Sequence, residues 1–134
     1  MCLITFAWQM HAHYDLIMAA NRDEFFARPS SAAHWWTDAS GIYGGRDERA
    51  GGAWCAADTS GRIAAVTNVH TAEHDPHWRS RGWLVQAALG QNDSLTRHAA
   101  ALGEQKQAYG PFNLLLAEQD ELLFLSNRGQ QQQL

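Results

Sequence analysis

Cys2 directly follows the initiator methionine in the opening run MCLITFAW. Aminopeptidases generally remove methionine ahead of a small side chain, which would leave Cys2 first, its free α-amine tethered to its own thiol. An α-amine has an ordinary pKa of about 7.7–8.0, which suits a general base, and a thiol is an intrinsically good nucleophile. One residue would then supply both functions. The alternative is a small apolar residue opening a buried strand, and position alone does not choose.

A second group of chemistry-bearing residues follows in AANRDEFFARP, where Asn21, Arg22, Asp23 and Glu24 come straight after an apolar run. If the runs CLITFAW and DLIMAA form a hairpin across QMHAHY, this group returns beside Cys2. Asp23 there could hold the α-ammonium and Arg22 would place a cation near the thiol. The bland reading is a solvated strand exit. Asn68, at the end of RIAAVTN, could donate to an oxyanion if its strand lies beside the first one. Asn113 sits inside the apolar run FNLLLAE, where an amide needs partners, either structural or from the same site.

The elements that must position these residues read as three hairpins. The second is AWCAAD, a turn at TSG, then RIAAVTN; the third is FNLLLAE, a turn at Gln119–Asp120, then LLFLSN. Ser80 is expected to cap a helix from about Gly82, and Asp93 or Ser94 a second helix over SLTRHAAAL. The segment from Asn21 to Gly52 reads as irregular, punctuated by Arg28–Pro29, Gly44–Gly45 and Gly51–Gly52. A loop of that length usually wraps a functional site. The expectation is an α+β fold with antiparallel strands and the helices on one face. Residues 1–128 are expected to form a single domain and 129–134 a frayed, Gln-rich tail.

Composition narrows the class. The chain has 134 residues, 46% of them hydrophobic, a formal net charge of −4 and no run of Lys or Arg. Nucleic acid as a partner is therefore not expected, nor an anionic membrane surface. The apolar start is broken within ten residues, too soon for a signal peptide or an integral membrane span. Two cysteines without a C-x-x-C pair suggest free thiols in a reducing cytoplasm.

Taken together, MCLITFAW, AANRDEFFARP, GGRDERAGGAWCAAD, GRIAAVTNVH, RSRGWLV and FNLLLAE…LLFLSN resemble the NRDE family, named for its Asn-Arg-Asp-Glu motif. Its eukaryotic member is the transport and Golgi organization protein 2 homologue. The blocks occur in family order over residues 1 to about 128. The resemblance implies an N-terminal-nucleophile (Ntn) hydrolase-like αββα sandwich, of which this short chain would build only part, leaving apolar surface for a second chain such as a homodimer partner. It is similar to the cholylglycine hydrolase and penicillin V acylase group, in which an N-terminal Cys is followed one hairpin later by Arg and Asp. Cys2, Arg22, Asp23 and Asn68 would then be catalytic, cleaving a C–N amide bond through a thioester.

The NRDE resemblance also implies haem binding or trafficking and lipid homeostasis. A haem carrier needs aromatic walls, cations for the propionates and an axial ligand. The chain has six Trp, and the cations in reach are Arg22, Arg28, Arg46, Arg79 and Arg81. Asn21, Glu24, Arg28, Trp54, Arg81 and Asn113 are the expected ligand-binding residues, with His70, His74 and His77 of VHTAEHDPHW as axial candidates. No protein metal site is expected, because neither that run nor His11–His13 has a structural-zinc spacing. The readings carried forward are haem handling, a Cys-dependent amidohydrolase acting on a small amide or acyl ligand, and a non-catalytic partner-binding protein.

Overall fold

A computed structural model describes residues 2–129 and 132–133. Seven strands form one antiparallel sheet: β3 (Ser30–Trp35), β4 (Ile42–Asp47), β5 (Cys55–Asp58), β6 (Ile63–Asn68), β7 (Phe112–Glu118), β8 (Glu121–Ser126) and β9 (Gln132–Gln133), in that spatial order. β1 (Leu3–Trp8) and β2 (Leu16–Asn21) make a separate two-stranded sheet, registered Leu3 with Asn21 and Trp8 with Leu16. Helices α1 (Gly82–Ala88) and α2 (Leu95–Glu104) separate β6 from β7 in sequence. The fold is mixed α+β with antiparallel sheets. Among the described residues, no helix is long and apolar enough to cross a membrane.

The alternation of side chains across the seven-stranded sheet builds three layers. On one face Ala64, Val66, Leu114, Leu116, Leu123 and Leu125 pack against Leu84, Val85, Ala88, Leu95 and Ala99 of the helices. On the other, Leu115, Ala117 and Leu122 meet Ile4, Trp8, Leu16 and Met18 of the β1–β2 hairpin. β7 is thus covered on both faces, which is why FNLLLAE reads as an unbroken apolar run rather than an alternating one.

The expected hairpins form, including the turns at Thr59–Gly61 and Gln119–Asp120. Ser94 caps α2, its Oγ accepting from Arg97 N at 3.4 Å. Ser80 does not cap α1: the N-cap is Arg81, without a side-chain hydrogen bond, and Ser80 contributes only its carbonyl to Trp83 N.

The largest correction concerns residues 21–52, expected to be irregular. β3 and β4 lie within them and extend the sheet at one edge. Gly44–Gly45, expected to mark a turn or a close backbone approach, lies inside β4 and marks the close approach. A Cβ on Gly44 would stand 2.6 Å from the Ala56 Cβ and 2.9 Å from the Cys55 carbonyl, so the close approach of β4 to β5 selects glycine there. Trp36, just after β3, anchors this edge from the helix side, donating Nε1–H to the Gly44 carbonyl at 3.1 Å. Of the expected frayed tail, residues 130, 131 and 134 lie outside the described residues. The backbone of Gln132–Gln133 pairs with Leu123–Phe124.

Candidate functional site

The hairpin brings Asn21 back to the start of β1. Leu3 N donates to Asn21 Oδ1 at 3.1 Å, so this side chain closes the hairpin and points the following residues toward Cys2. Because the hairpin lies on the face of the large sheet, the end of β6 and the segment after it come to the same place. Cys2, Arg22, Asp23 and Asn68 therefore border one cleft of about 830 Å³. Asn68 arrives by sheet-on-sheet packing, not by strand pairing with β1 as expected, since β6 pairs with β5 and β7. Cys2 is partly buried, while Asp23 and Asn68 are exposed.

The cleft wall nearest the NRDE run is an ion-pair network. Arg28 donates to Asp47 Oδ2 through Nε at 2.9 Å and Nη2 at 2.6 Å. Arg22 lies 3.7 Å from the same carboxylate oxygen and 3.5 Å from Glu24 Oε2, which also lies 3.8 Å from Arg28. Asp47 further accepts from the backbone N–H groups of Arg49 and Ala50. Burial pushes its carboxyl upward, but Arg28 and those N–H groups together hold it below the usual carboxylate range. Asp47 is the residue the sequence reading missed. The run GGRDERAGG carried it without a role, because nothing local shows that β4 ends against the NRDE segment.

The N-terminal end of α1 borders the same cleft. Gly52 and Gly82 meet there: a Cβ on Gly52 would stand 2.5 Å from the Gly82 carbonyl carbon, so the loop after β4 reaches the helix start only with glycine at that point. This contact sets Arg81 into the cleft, where its Nη1 donates to the Pro111 carbonyl at 3.0 Å. Trp54, His70 and His74 also border the cleft; Asn21, His77 and Asn113 do not.

Asn113 lines a second, more apolar cavity of about 260 Å³ between β1 and the large sheet, together with Phe6, Leu115 and Phe124. Cys2 borders both cavities, so the residue stands where a charged cleft meets an apolar slot. Such an arrangement can present a nucleophile to a carbonyl flanked by one polar and one apolar substituent. Both cysteines are free, and burial pushes the Cys55 thiol up, away from reactivity. Among the described residues, no three His, Cys, Asp or Glu side chains gather as metal ligands would.

Comparison with known proteins places these features in a family. The family model described as Transport and Golgi organisation 2 matches residues 1–134. The mouse Transport and Golgi organization 2 homolog is 33% identical over 142 residues, covering 97% of this chain and 51% of its own. The human homolog gives the same identity and coverage, and the Drosophila melanogaster protein is 34% identical over 131 residues, covering 88% of this chain and 46% of its own. The chain spans about half the length of these relatives. It belongs to the Transport and Golgi organisation 2 family.

Proposed function

We propose that the chain carries the nucleophile half of a cysteine-dependent acyl-transfer site, hydrolysing the C–N bond of a small amide. The single observation behind this is that Cys2, Arg22, Asp23 and Asn68, from three separate segments, border one cleft. After loss of Met1, the Cys2 α-amine takes the thiol proton as sulfur attacks the carbonyl carbon. Asn68 donates to the oxyanion, while Asp23 and Arg22 orient the amine and the substrate. Collapse breaks the C–N bond, the proton passes to the leaving amine, and a thioester remains. Water then releases the carboxylic acid and regenerates the thiol. The order of layers, helices on sheet on hairpin, supports reading the fold as three of the four layers of an Ntn-type αββα sandwich. The hairpin layer is the incomplete one, open to completion by further chain or a second copy. Two free thiols suit a reducing cytoplasm.

Haem handling is the second reading. It rests on His70, His74 and Cys2 bordering the same cleft, with Arg81 in reach of a propionate. Against it, the walls are charged, and Trp54 and Trp78 are the aromatic faces they offer a macrocycle. The transport role in the relatives' names would follow more directly from this reading, or from a non-catalytic partner-binding protein. One experiment separates the three. Intact mass of the purified chain should show Met1 absent and, with an activated amide, one acyl adduct on Cys2 that Cys2→Ala abolishes. A saturable Soret shift with haem and no adduct would transfer the assignment to haem handling. Neither signal would leave partner binding.

A further inference from the structure

The cations around the site are not equivalent. Arg28 and Arg22 are tied to Asp47 and Glu24, and Arg46, outside the cleft, is held by both carboxylate oxygens of Asp38. Arg81 differs from all three. It is partly buried in the cleft wall, its side chain donates to one backbone carbonyl, and among the described residues no carboxylate lies within ion-pair distance of it. Burial lowers its pKa from the ordinary arginine value, with Arg28 adding to the depression and the nearby Cys2 and Glu24 acting against it. Arg79 also borders the cleft without an ion pair, but it is solvent-exposed. The unused N–H groups of Arg81 are not sealed from solvent and so stay open to a ligand, and its planar fork matches carboxylate and phosphate oxygens.

We propose that Arg81 is the anion-recognition residue of the cleft, so that the ligand presented to Cys2 carries a carboxylate or phosphate group. The inference rests on the cleft being the ligand site, as proposed above, but not on turnover there. It makes Arg81 a specificity-determining residue and excludes neutral amides as preferred ligands. The Arg28–Asp47–Glu24 network, satisfied within itself, then serves to hold the NRDE segment in place.

The test compares alkylation of Cys2 by iodoacetate and by iodoacetamide in the full chain, followed by peptide mass so that Cys55 is scored separately. The reagents differ in charge and little in size, and any change in thiolate fraction cancels in their rate ratio. Arg81→Gln should lower the iodoacetate-to-iodoacetamide ratio by about tenfold, the worth of one nearby charge in a partly buried site. Arg81→Lys should restore much of it, rising salt should reduce it in the unmodified protein, and Arg97→Gln, at an exposed position of α2, should leave it alone. An unchanged ratio in a folded Arg81→Gln protein overturns the proposal. Inorganic phosphate and butyrate are then tried as protectants against iodoacetamide. Protection by one of them, lost in Arg81→Gln, supports the proposal and names the anion; protection by neither overturns it. If Cys2 never acylates but the charge ratio behaves as described, the hydrolase reading fails and the anion site stands.

Discussion

The two faces of the seven-stranded sheet are built from the same strands and differ in how they are covered. The helix face holds a continuous core in which Leu84, Leu95, Phe112, Leu114 and Leu116 are completely buried. The hairpin face holds a small cluster around Leu115, Ala117 and Leu122, and its cover leaves Leu3, Phe6 and Ile17 between 41% and 57% exposed. A two-stranded ribbon is marginal alone and depends on what it packs against. Stability therefore resides in the helix layer, while the candidate chemistry sits at the thinly covered layer, where backbone can move without unfolding the core.

The largest effect should come from adjacent leucines pointing to opposite faces. Leu114→Ala empties a fully buried position and should cost about 2–5 kcal/mol. Leu115→Ala faces the smaller cluster and should cost well under half as much, read as a shift in denaturant midpoint at constant slope. Equal losses would mean that the hairpin layer packs as tightly as the helices and that the contrast between faces is wrong.

A smaller effect, with a pH signature, comes from the network that locks the helix layer to the sheet. Arg62, 1% exposed, donates to the Ala88 and Asp93 carbonyls at 3.1 and 2.6 Å and to Glu118 at 2.8 Å. It thereby ties the end of α1, the start of α2 and β7 to the β5–β6 turn. Asp58 completes the turn, accepting from Ser60 and Arg62 N–H groups through Oδ1 and from Gly90 N at 2.8 Å through Oδ2. Burial pushes its carboxyl up, yet the Ser60 hydroxyl and these N–H groups outweigh that and hold it below the usual range. A depressed folded value means the stabilisation is fully present above the unfolded pKa, near 4, and is lost as pH falls through the folded value. Asp58→Asn should thus cost about 1–3 kcal/mol at pH 7, and the gap to the unmodified protein should narrow below about pH 4. A gap independent of pH would remove the carboxylate from the account.

The same contrast explains what the sequence disclosed. The β1–β2, β5–β6 and β7–β8 hairpins and α2 were legible because each is a local pattern: apolar runs around a turn, or a serine at a helix start. From the first hairpin alone it followed that Asn21–Asp23 return to Cys2. β3 and β4 were hidden because SSAAHW and IYGGRD lack a run of branched residues, and because Gly44 answers to Ala56 across the sheet rather than to a turn. The stacking of the hairpin on the sheet, which brings Asn68 into the cleft and puts Asn113 in the neighbouring slot, is set by contacts far apart in sequence. So is the pairing of Arg28 with Asp47, and neither leaves a local mark.

The smallest stability effect should carry a functional one. Ile4 lies on the same face of β1 as Cys2, two residues on, and packs against the Leu115 cluster while remaining partly exposed. Ile4→Ala should lower stability by about 1 kcal/mol, because a half-covered site loses less transfer energy and leaves a smaller cavity than Leu114→Ala. Its packing, however, is what seats the start of β1 over the sheet, so loosening it shifts Cys2 relative to Arg81. The preference of Cys2 for iodoacetate over iodoacetamide should fall severalfold in Ile4→Ala while the unfolding midpoint falls much less than in Leu114→Ala. If instead the midpoint falls as far as in Leu114→Ala, the hairpin and the helix core unfold as one unit. The site would then be as rigid as the rest of the molecule.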